Sequence, residues 1–125
     1  MDDFPQFMRS ATNKIATTSQ ATPGVEGYVF DGADGSQMTF WTCTQTAVAT
    51  PHVHAFDEYM IVVQGSYALI LDDKRVTLTA GDEYFIPRGT RHAGEVVGAT
   101  RTIHAFGGRR VERASAKSQT EDSRR

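Results

Sequence analysis

Short apolar and alternating stretches, separated by turn-forming residues, occupy the middle of the chain. They predict strands at 25–30, 37–45, 52–54, 58–63, 66–71, 75–78, 83–86 and 101–106. Between them lie Asp34-Gly35, Asp72-Asp73 and Pro87-Arg88-Gly89, whose backbone preferences suit tight turns. No stretch keeps a 3.6-residue apolar period long enough for a core helix. Many short, closely spaced strands predict an all-β sandwich or barrel over residues 25–108.

The two ends of the chain differ from this middle part. Residues 1–24 are rich in Ser, Thr, Gln and Asn, with scattered apolar residues such as Phe4 and Ile15. They predict an N-terminal arm with one short helix near 4–9, docked on the barrel or on a partner subunit. Residues 109–125 are charged and almost without apolar residues, so burial cannot offset the entropy cost of ordering them. We therefore expect a disordered C-terminal tail.

The stretch 58–63 is apolar on both of its faces. Glu58, Met60 and Val62 share one face because side chains alternate along a strand, and only Glu58 among these residues is polar. A strand that is apolar on both sides is usually covered on both sides. In a chain of this size the second cover would be the N-terminal arm or another subunit, and the latter predicts a homodimer.

Composition narrows the kinds of partner and compartment. The chain has 125 residues, a net charge of −2 and a pI of about 6.0, so no strong field would attract nucleic acid or an anionic membrane. No segment approaches the roughly 20 apolar residues that span a bilayer. The single cysteine, Cys43, allows no internal disulfide. We expect a cytoplasmic protein that binds a small molecule or a metal ion.

Two of the four histidines form the sequence His52-Val53-His54. On an extended strand their side chains point the same way, roughly 6–7 Å apart along the backbone, so two imidazoles could converge on one ion. Glu58 follows four residues later and would need a partner if buried, which a metal ion provides. Two other interpretations stay open at this point, namely a surface histidine pair and a Glu58 paired with an arginine.

The spacing of these residues resembles two motifs of the cupins. His52-x-His54-x3-Glu58-x6-Gly65 is similar to the first motif, and Gly81-x5-Pro87-x-Gly89-x2-His92 is similar to the second. The fifteen residues between the motifs are close to the spacing of small bacterial cupins. Thr46 and Val96 stand where the family usually has glycine and asparagine, which affects a turn and a loop contact. Neither of these positions holds a metal ligand in the family.

The resemblance implies a double-stranded β-helix, or jelly-roll, barrel that is usually dimeric. It also implies that His52, His54, Glu58 and His92 bind one divalent transition metal ion (Mn, Fe, Ni, Cu or Zn). Four protein ligands leave about two positions open on an octahedral ion, which suits catalysis. We expect a metal-dependent enzyme with dioxygenase-like, other oxidative, isomerase or lyase chemistry on a small molecule. The alternatives are a non-catalytic binding or sensing module and a metal-free epimerase or isomerase.

Strand parity suggests the residues that would surround such a site. The residues predicted to face inward, each with core packing as its simpler role, are Met38, Phe40, Met60, Tyr67, Tyr84 and Phe106. His104 shares a face with Phe106, and on an inward face it would be a partner of a metal ligand or a general base. Arg88 and Arg91 flank the last ligand and could attract a carboxylate substrate, although solvated loop charges are the simpler interpretation.

Overall fold

The computed structural model describes residues 3–16 and 24–114. Within them lie nine strands, and two short 3₁₀ helices, Gln6–Arg9 and Ala11–Asn13, precede the strands. The strands are β1 (Val25–Asp31), β2 (Gln37–Cys43), β3 (Ala47–Val48), β4 (Glu58–Gln64), β5 (Ser66–Leu71), β6 (Lys74–Thr79), β7 (Glu83–Ile86), β8 (His92–Val96) and β9 (Thr100–Phe106). No helix among the described residues is long and apolar enough to cross a membrane.

Two antiparallel sheets form the body of the molecule. The larger has the strand order β1-β2-β9-β4-β7, and the smaller has the order β3-β8-β5-β6. From β2 to β5 and again from β6 to β9 the chain alternates between the two sheets, as in a jelly roll, and the inner faces of the sheets enclose one interior. Gly65 and Gly81 have φ values of 87° and 94° in the turns after β4 and β6, where a left-handed backbone is required. The all-β jelly-roll prediction is confirmed.

Two strands were not predicted, and one predicted strand is only a bridge. β8 has the sequence HAGEV, in which Val96 is the single β-branched or aromatic residue of the kind typical of strands. Its Gly94 is required because a Cβ there would overlap the Tyr67 hydroxyl on the neighbouring strand. The two-residue β3 pairs with the other end of β8. Within 52–54 only His52 forms a bridge, and its partner is His92.

One half of the interior is filled with apolar side chains. Met60 and Val62 on β4 are fully buried and pack against Leu78 on β6. Tyr84 and Val76 pack against the same cluster. This cluster, which we call the filled half, closes one side of the barrel.

The N-terminal arm covers part of the outer face of the larger sheet. Phe4 is buried and packs edge-on against Phe40, with 5.5 Å between the ring centroids. The guanidinium of Arg101 lies 4.9 Å from the centroid of the Phe4 ring, which is a cation–π distance. The predicted docking of the arm on the barrel is therefore observed over residues 3–16, and its helical part consists of two 3₁₀ turns.

The first six residues of the predicted tail are ordered, which corrects the prediction of disorder from residue 109. Val111 is buried and forms an apolar cluster with Ile15 and Val29. The backbone of this part pairs with the arm, because Ala16 donates to Glu112 and Ala114 donates to the carbonyl at position 14. The arm supplies an apolar partner that the tail lacks by itself. Residues 115–125 lie outside the described residues.

Candidate metal centre

The four predicted ligands come from three parts of the chain that the fold brings together. Glu58 begins β4 in the larger sheet, and His92 begins β8 in the smaller sheet. The backbones of His52 and His92 exchange two hydrogen bonds of 2.8 and 3.0 Å, so these residues lie directly opposite each other. The amide of Gly89, in the loop before β8, donates to the carbonyl of His54 over 2.9 Å. The loop that presents His92 is thus attached to the segment that carries the other two histidines.

The imidazoles of His52, His54 and His92 converge on one point. One nitrogen from each ring lies within 4.8 Å of the corresponding nitrogens of the other two, which allows them to share an ion. The Oε1 atom of Glu58 is 3.4 Å from Nε2 of His54 and 3.3 Å from Nε2 of His92. These three atoms are buried and have no well-formed hydrogen bond among the described residues. Buried polar atoms without partners are costly, and a cation at their centre would remove that cost.

Backbone carbonyls fix the tautomer of two of the histidines. Nδ1 of His52 lies 2.9 Å from the carbonyl of Thr50, and Nδ1 of His92 lies 2.9 Å from that of Thr90. A carbonyl can only accept, so each Nδ1 must carry the proton and donate it. Each Nε2 then keeps its lone pair free, which is the state that binds a metal. The donor set and its support therefore fit a divalent transition metal ion.

The other carboxylate oxygen of Glu58 is held by His104. Nδ1 of His104 lies 2.7 Å from Glu58 Oε2, and its Nε2 lies 3.1 Å from the hydroxyl of Thr102. Burial alone would raise the pKa of Glu58, but the imidazole of His104 and those of the neighbouring histidines hold that pKa well below its usual range. Glu58 is therefore a carboxylate with one oxygen directed at the histidines and the other fixed by His104.

A cavity of about 120 Å³ adjoins this cluster between the two sheets. Besides the histidines and Glu58, it is lined by Val25, Trp41, Cys43, Ala47, Ala49, Tyr67, Gly94, Val96, Thr100, Thr102, Phe106 and Arg110. Its wall is mostly apolar. Burial raises the pKa of the Tyr67 phenol, so this hydroxyl stays protonated. Such a cavity has space for a small molecule in contact with a bound ion.

The family of the protein follows from the sequence match together with this fold. A family model described as a cupin domain, Cupin_2, matches residues 40–106, more than half of the chain. The chain belongs to the cupin family. No curated protein sequence matches this cupin.

Several solved structures resemble this cupin in fold. KdgF from Halomonas sp. is 24% identical with a TM-score of 0.64, and the match covers 77% of this chain and 94% of that one. An RmlC-like cupin from Shewanella frigidimarina is 20% identical with a TM-score of 0.66, covering 85% and 93%. The polyketide cyclase RemF from Streptomyces resistomycificus is 23% identical with a TM-score of 0.65, covering 82% and 80%. At these identities the similarity establishes the fold alone.

Two of the six residues predicted to line the pocket of this cupin do so, namely Tyr67 and Phe106. Met60 and Tyr84 face inward but belong to the filled half. The prediction for β2 was wrong. Met38 is 45% exposed, and Phe40 lies under the N-terminal arm, on the outer face.

The parity of β2 was misleading because its outer face, with Met38 and Phe40, is more apolar than its inner face, which carries Gln37 and Thr39. Trp41 and Cys43, on the other parity, line the cavity. The outer face is apolar because the arm covers it, and a strand covered on both sides carries no alternation that marks its inner side. Trp41 and Phe40 are neighbours on β2 and lie on opposite sides of the sheet, with Trp41 facing inward.

Sequence reasoning missed Arg110 altogether. This residue belongs to the predicted tail, yet it lines the cavity. The signal was the single apolar residue that follows it, Val111, which anchors this part of the chain. Arg88 and Arg91, the two arginines considered for substrate binding, are both exposed and are not part of the cavity wall.

Proposed function

We propose that this cupin binds one divalent transition metal ion through His52, His54, His92 and Glu58, and acts on a small organic molecule in the adjoining cavity. The observation that carries the proposal is the set of three buried polar atoms without partners, on His54, His92 and Glu58, that face one another. Nitrogen and oxygen donors suit manganese, iron, nickel, copper and zinc. When bound, such an ion would polarise substrate oxygens as a Lewis acid or activate dioxygen, which supports isomerising or dioxygenase-like chemistry.

Elemental analysis of protein purified without an affinity tag or chelator tests this proposal. We expect about one transition metal ion per chain, and loss of that ion in His52→Ala. Glu58→Gln keeps the size of the side chain but removes its charge, and we expect a metal affinity at least tenfold lower. The exposed Glu83 offers a matched control, because Glu83→Gln makes the same change away from the site. An unmutated protein that takes up none of the five metals, even after incubation with each, would contradict the proposal.

His104 serves in this proposal as a positioning residue for Glu58. Both ring nitrogens of His104 are engaged, one by Glu58 and one by Thr102, so the ring orients the carboxylate and has no nitrogen directed at the cavity for a general base. His104→Gln would remove one of the two contacts. We expect weaker metal binding with little loss of stability, because outer partners of ligands typically change metal affinity by about 10–100-fold. Unchanged metal affinity in His104→Gln would contradict this role.

A non-catalytic cupin that binds or senses a small ligand is the second candidate. The observation in its favour is the size of the cavity, since about 120 Å³ is less than the roughly 300–1,000 Å³ of pockets for drug-sized ligands. The two functions differ in what happens to a bound ligand. A compound that binds to the metal-loaded protein and is recovered unchanged, with and without dioxygen, supports the sensor. A changed compound supports the enzyme.

The outer face of the larger sheet supports the proposal that this cupin forms a homodimer. Phe30, Met38, Ala105, Tyr59 and Phe85 stand opposite one another on five neighbouring strands and form one row, which we call the outer stripe. Four of these side chains are 36–56% exposed. A continuous apolar row of this kind is typical of an interface, and a two-fold axis would let the same row cover itself in a second copy.

Sedimentation velocity at micromolar concentration tests the dimer. We expect the unmutated protein to sediment as a dimer and Phe85→Lys as a monomer. Phe7→Lys is the control, since Phe7 is 74% exposed but lies outside the outer stripe. A monomeric unmutated protein would contradict the dimer. The cytoplasmic location stays a prediction from the sequence.

A further inference from the structure

The part of the chain after the last strand reaches into the cavity. Residues 109–114, which we call the C-terminal segment, follow β9 and pair with the N-terminal arm, and Arg110 joins the cavity wall. Arg110 is the sole Lys or Arg among the described residues of that wall, and Glu58 is the sole Asp or Glu. The barrel strands therefore supply the carboxylate of the site, and a segment outside them supplies the guanidinium.

Gln37 fixes the backbone that carries Arg110. The Gln37 side chain is only 4% exposed, and its Oε1 accepts from the amides of Arg110 and Val111 over 2.7 and 2.9 Å. Its Nε2 donates to the Val111 carbonyl over 3.0 Å and to Oδ1 of Asp31 over 2.8 Å. The four hydrogen bonds of the buried Gln37 amide and the burial of Val111 hold the backbone of Arg110 more firmly than the backbone of a surface loop is held. Groups that recognise a ligand need such support to keep their geometry.

The charge of the cavity favours an anionic ligand. A divalent ion, Arg110 and ionised Glu58 together give this cavity a net charge of about +2, because an arginine side chain stays protonated in proteins. Arg110 and the histidine cluster line the same cavity, so the charge of Arg110 acts on whatever lies between them. A carboxylate would neutralise part of this charge and could contact both the ion and the planar, two-pronged guanidinium.

We propose that Arg110 is a specificity residue that selects small carboxylates as the ligands or substrates of this cupin, with Gln37 as its positioning residue. This inference rests on the proposed function, because the bound metal ion supplies the positive charge beside that of Arg110. The size of the cavity favours a small ligand, because its volume of about 120 Å³ is comparable to the roughly 150 Å³ of a cavity that accepts benzene. The ligand class is therefore a carboxylic acid with at most about one ring or a short chain.

Fluorescence of Trp41 offers a direct test, because this side chain lines the cavity and is the single tryptophan of the chain. Zinc-loaded protein would be titrated with acetate, glycolate and benzoate, and with the neutral amides acetamide, glycolamide and benzamide. We expect saturable binding of at least one carboxylate and at least tenfold weaker binding of its amide. In Arg110→Gln we expect the affinity for that carboxylate to fall at least tenfold, with the amide affected less than twofold.

Two variants separate recognition from simple charge. Arg109→Gln removes the same charge from the exposed neighbouring residue and should leave all affinities within twofold. Arg110→Lys keeps the charge but loses the planar pair of donors, and we expect it to recover only part of the carboxylate affinity. Equal loss in the Arg109 and Arg110 variants, amides that bind as well as carboxylates, or no binding of any of the three carboxylates would each overturn the proposal.

The zinc content of every sample distinguishes a failure of this inference from a failure of the metal site. Zinc bound at about one ion per chain without carboxylate selectivity would contradict the role of Arg110 and leave the proposed function standing. Absence of zinc uptake would contradict the proposed function. In that case the same comparison of carboxylate and amide on metal-free protein, with the Arg110 and Arg109 variants, still decides whether Arg110 selects carboxylates.

Discussion

The inner face of β4 passes through two unlike halves of one barrel. Met60 and Val62 are fully buried in the filled half, where they pack with Leu78, Val76 and the rings of Tyr67 and Tyr84. Glu58, two residues before Met60, is almost as deeply buried but lies in the open half, among three histidines and beside the cavity. The same strand thus supports tight apolar packing at one end and a group of partnerless polar atoms at the other.

The difference shows how a small barrel holds a costly site. Buried polar atoms without partners destabilise a fold, and only a core that is well packed elsewhere tolerates them. Here the filled half supplies apolar burial, while the open half keeps Glu58 ionised among histidines. Stability and binding are therefore assigned to different halves, and substitutions in each half should have separable effects.

The largest effect on stability is expected from Met60→Ala in the filled half. Removing a fully buried methionine leaves a cavity, and such substitutions cost about 2–5 kcal/mol, so we expect the free energy of unfolding to fall by about 3 kcal/mol. Urea unfolding of metal-free protein measures this change. The ratio of metal to protein should stay at its unmutated value under folding conditions. A variant that keeps its stability but loses its metal would show that the two halves are not separable.

The next effect concerns the open half and comes from the metal itself. A ligand that binds only the folded state at 100 times its dissociation constant raises the free energy of unfolding by about 2.7 kcal/mol. We expect an increase of this size when zinc is added to the chelated protein, measured by urea unfolding. His92→Ala should remove the increase, because one of the partnerless atoms belongs to His92. An equal increase in this variant would place the zinc elsewhere.

The sequence predicted the parts of this comparison that depend on local pattern. Glu58 leads an otherwise apolar face, which marked it as a residue that needs a partner if buried. The complete set of four ligands, with His92, was implied by the resemblance to the cupin motifs. Gly65 and Gly81 marked turns, because glycine adopts a positive φ without the steric cost that other residues pay, whatever surrounds it.

The remainder depends on contacts between distant residues. The wrong face of β2 was predicted to lie inward, because the arm covers the outer face and that face is therefore apolar. Phe40 was predicted to line the cavity, whereas Trp41 does so. β8 was missed because it contains Gly94, a residue type that is rare in strands. Glycine is required there to leave space for the Tyr67 hydroxyl on the neighbouring strand. The position of Arg110 follows from the hydrogen bonds of Gln37, which lies 73 residues away in the chain. No local pattern records a contact of that kind.

A smaller effect is expected from Gln37→Ala, which tests how far the open half depends on a segment outside the barrel. The substitution removes four hydrogen bonds and leaves the amides of Arg110 and Val111 buried without their acceptor. A buried group left unsatisfied costs about 1–3 kcal/mol, so we expect a loss of about 2 kcal/mol. Hydrogen exchange at these two amides should become much faster than at β4. If these amides stay as protected as β4, Gln37 does not hold the segment.

The smallest effect is expected from Met38→Ala, which repeats the substitution made at Met60 on the opposite side of the barrel wall. Met38 is 45% exposed and lies in the outer stripe, whereas Met60 is fully buried in the filled half. Folding of a single chain buries little of the apolar surface of Met38. The free energy of unfolding of the monomer should therefore change by less than about 0.5 kcal/mol. Urea unfolding at low protein concentration, where a dimer would dissociate, measures that change.

Sedimentation at higher concentration should show weaker self-association if the stripe is the dimer interface, because Met38 then becomes buried only between two copies. A loss near that of Met60→Ala at low concentration would mean that Met38 is already covered within one chain, and the outer stripe would not be a free surface.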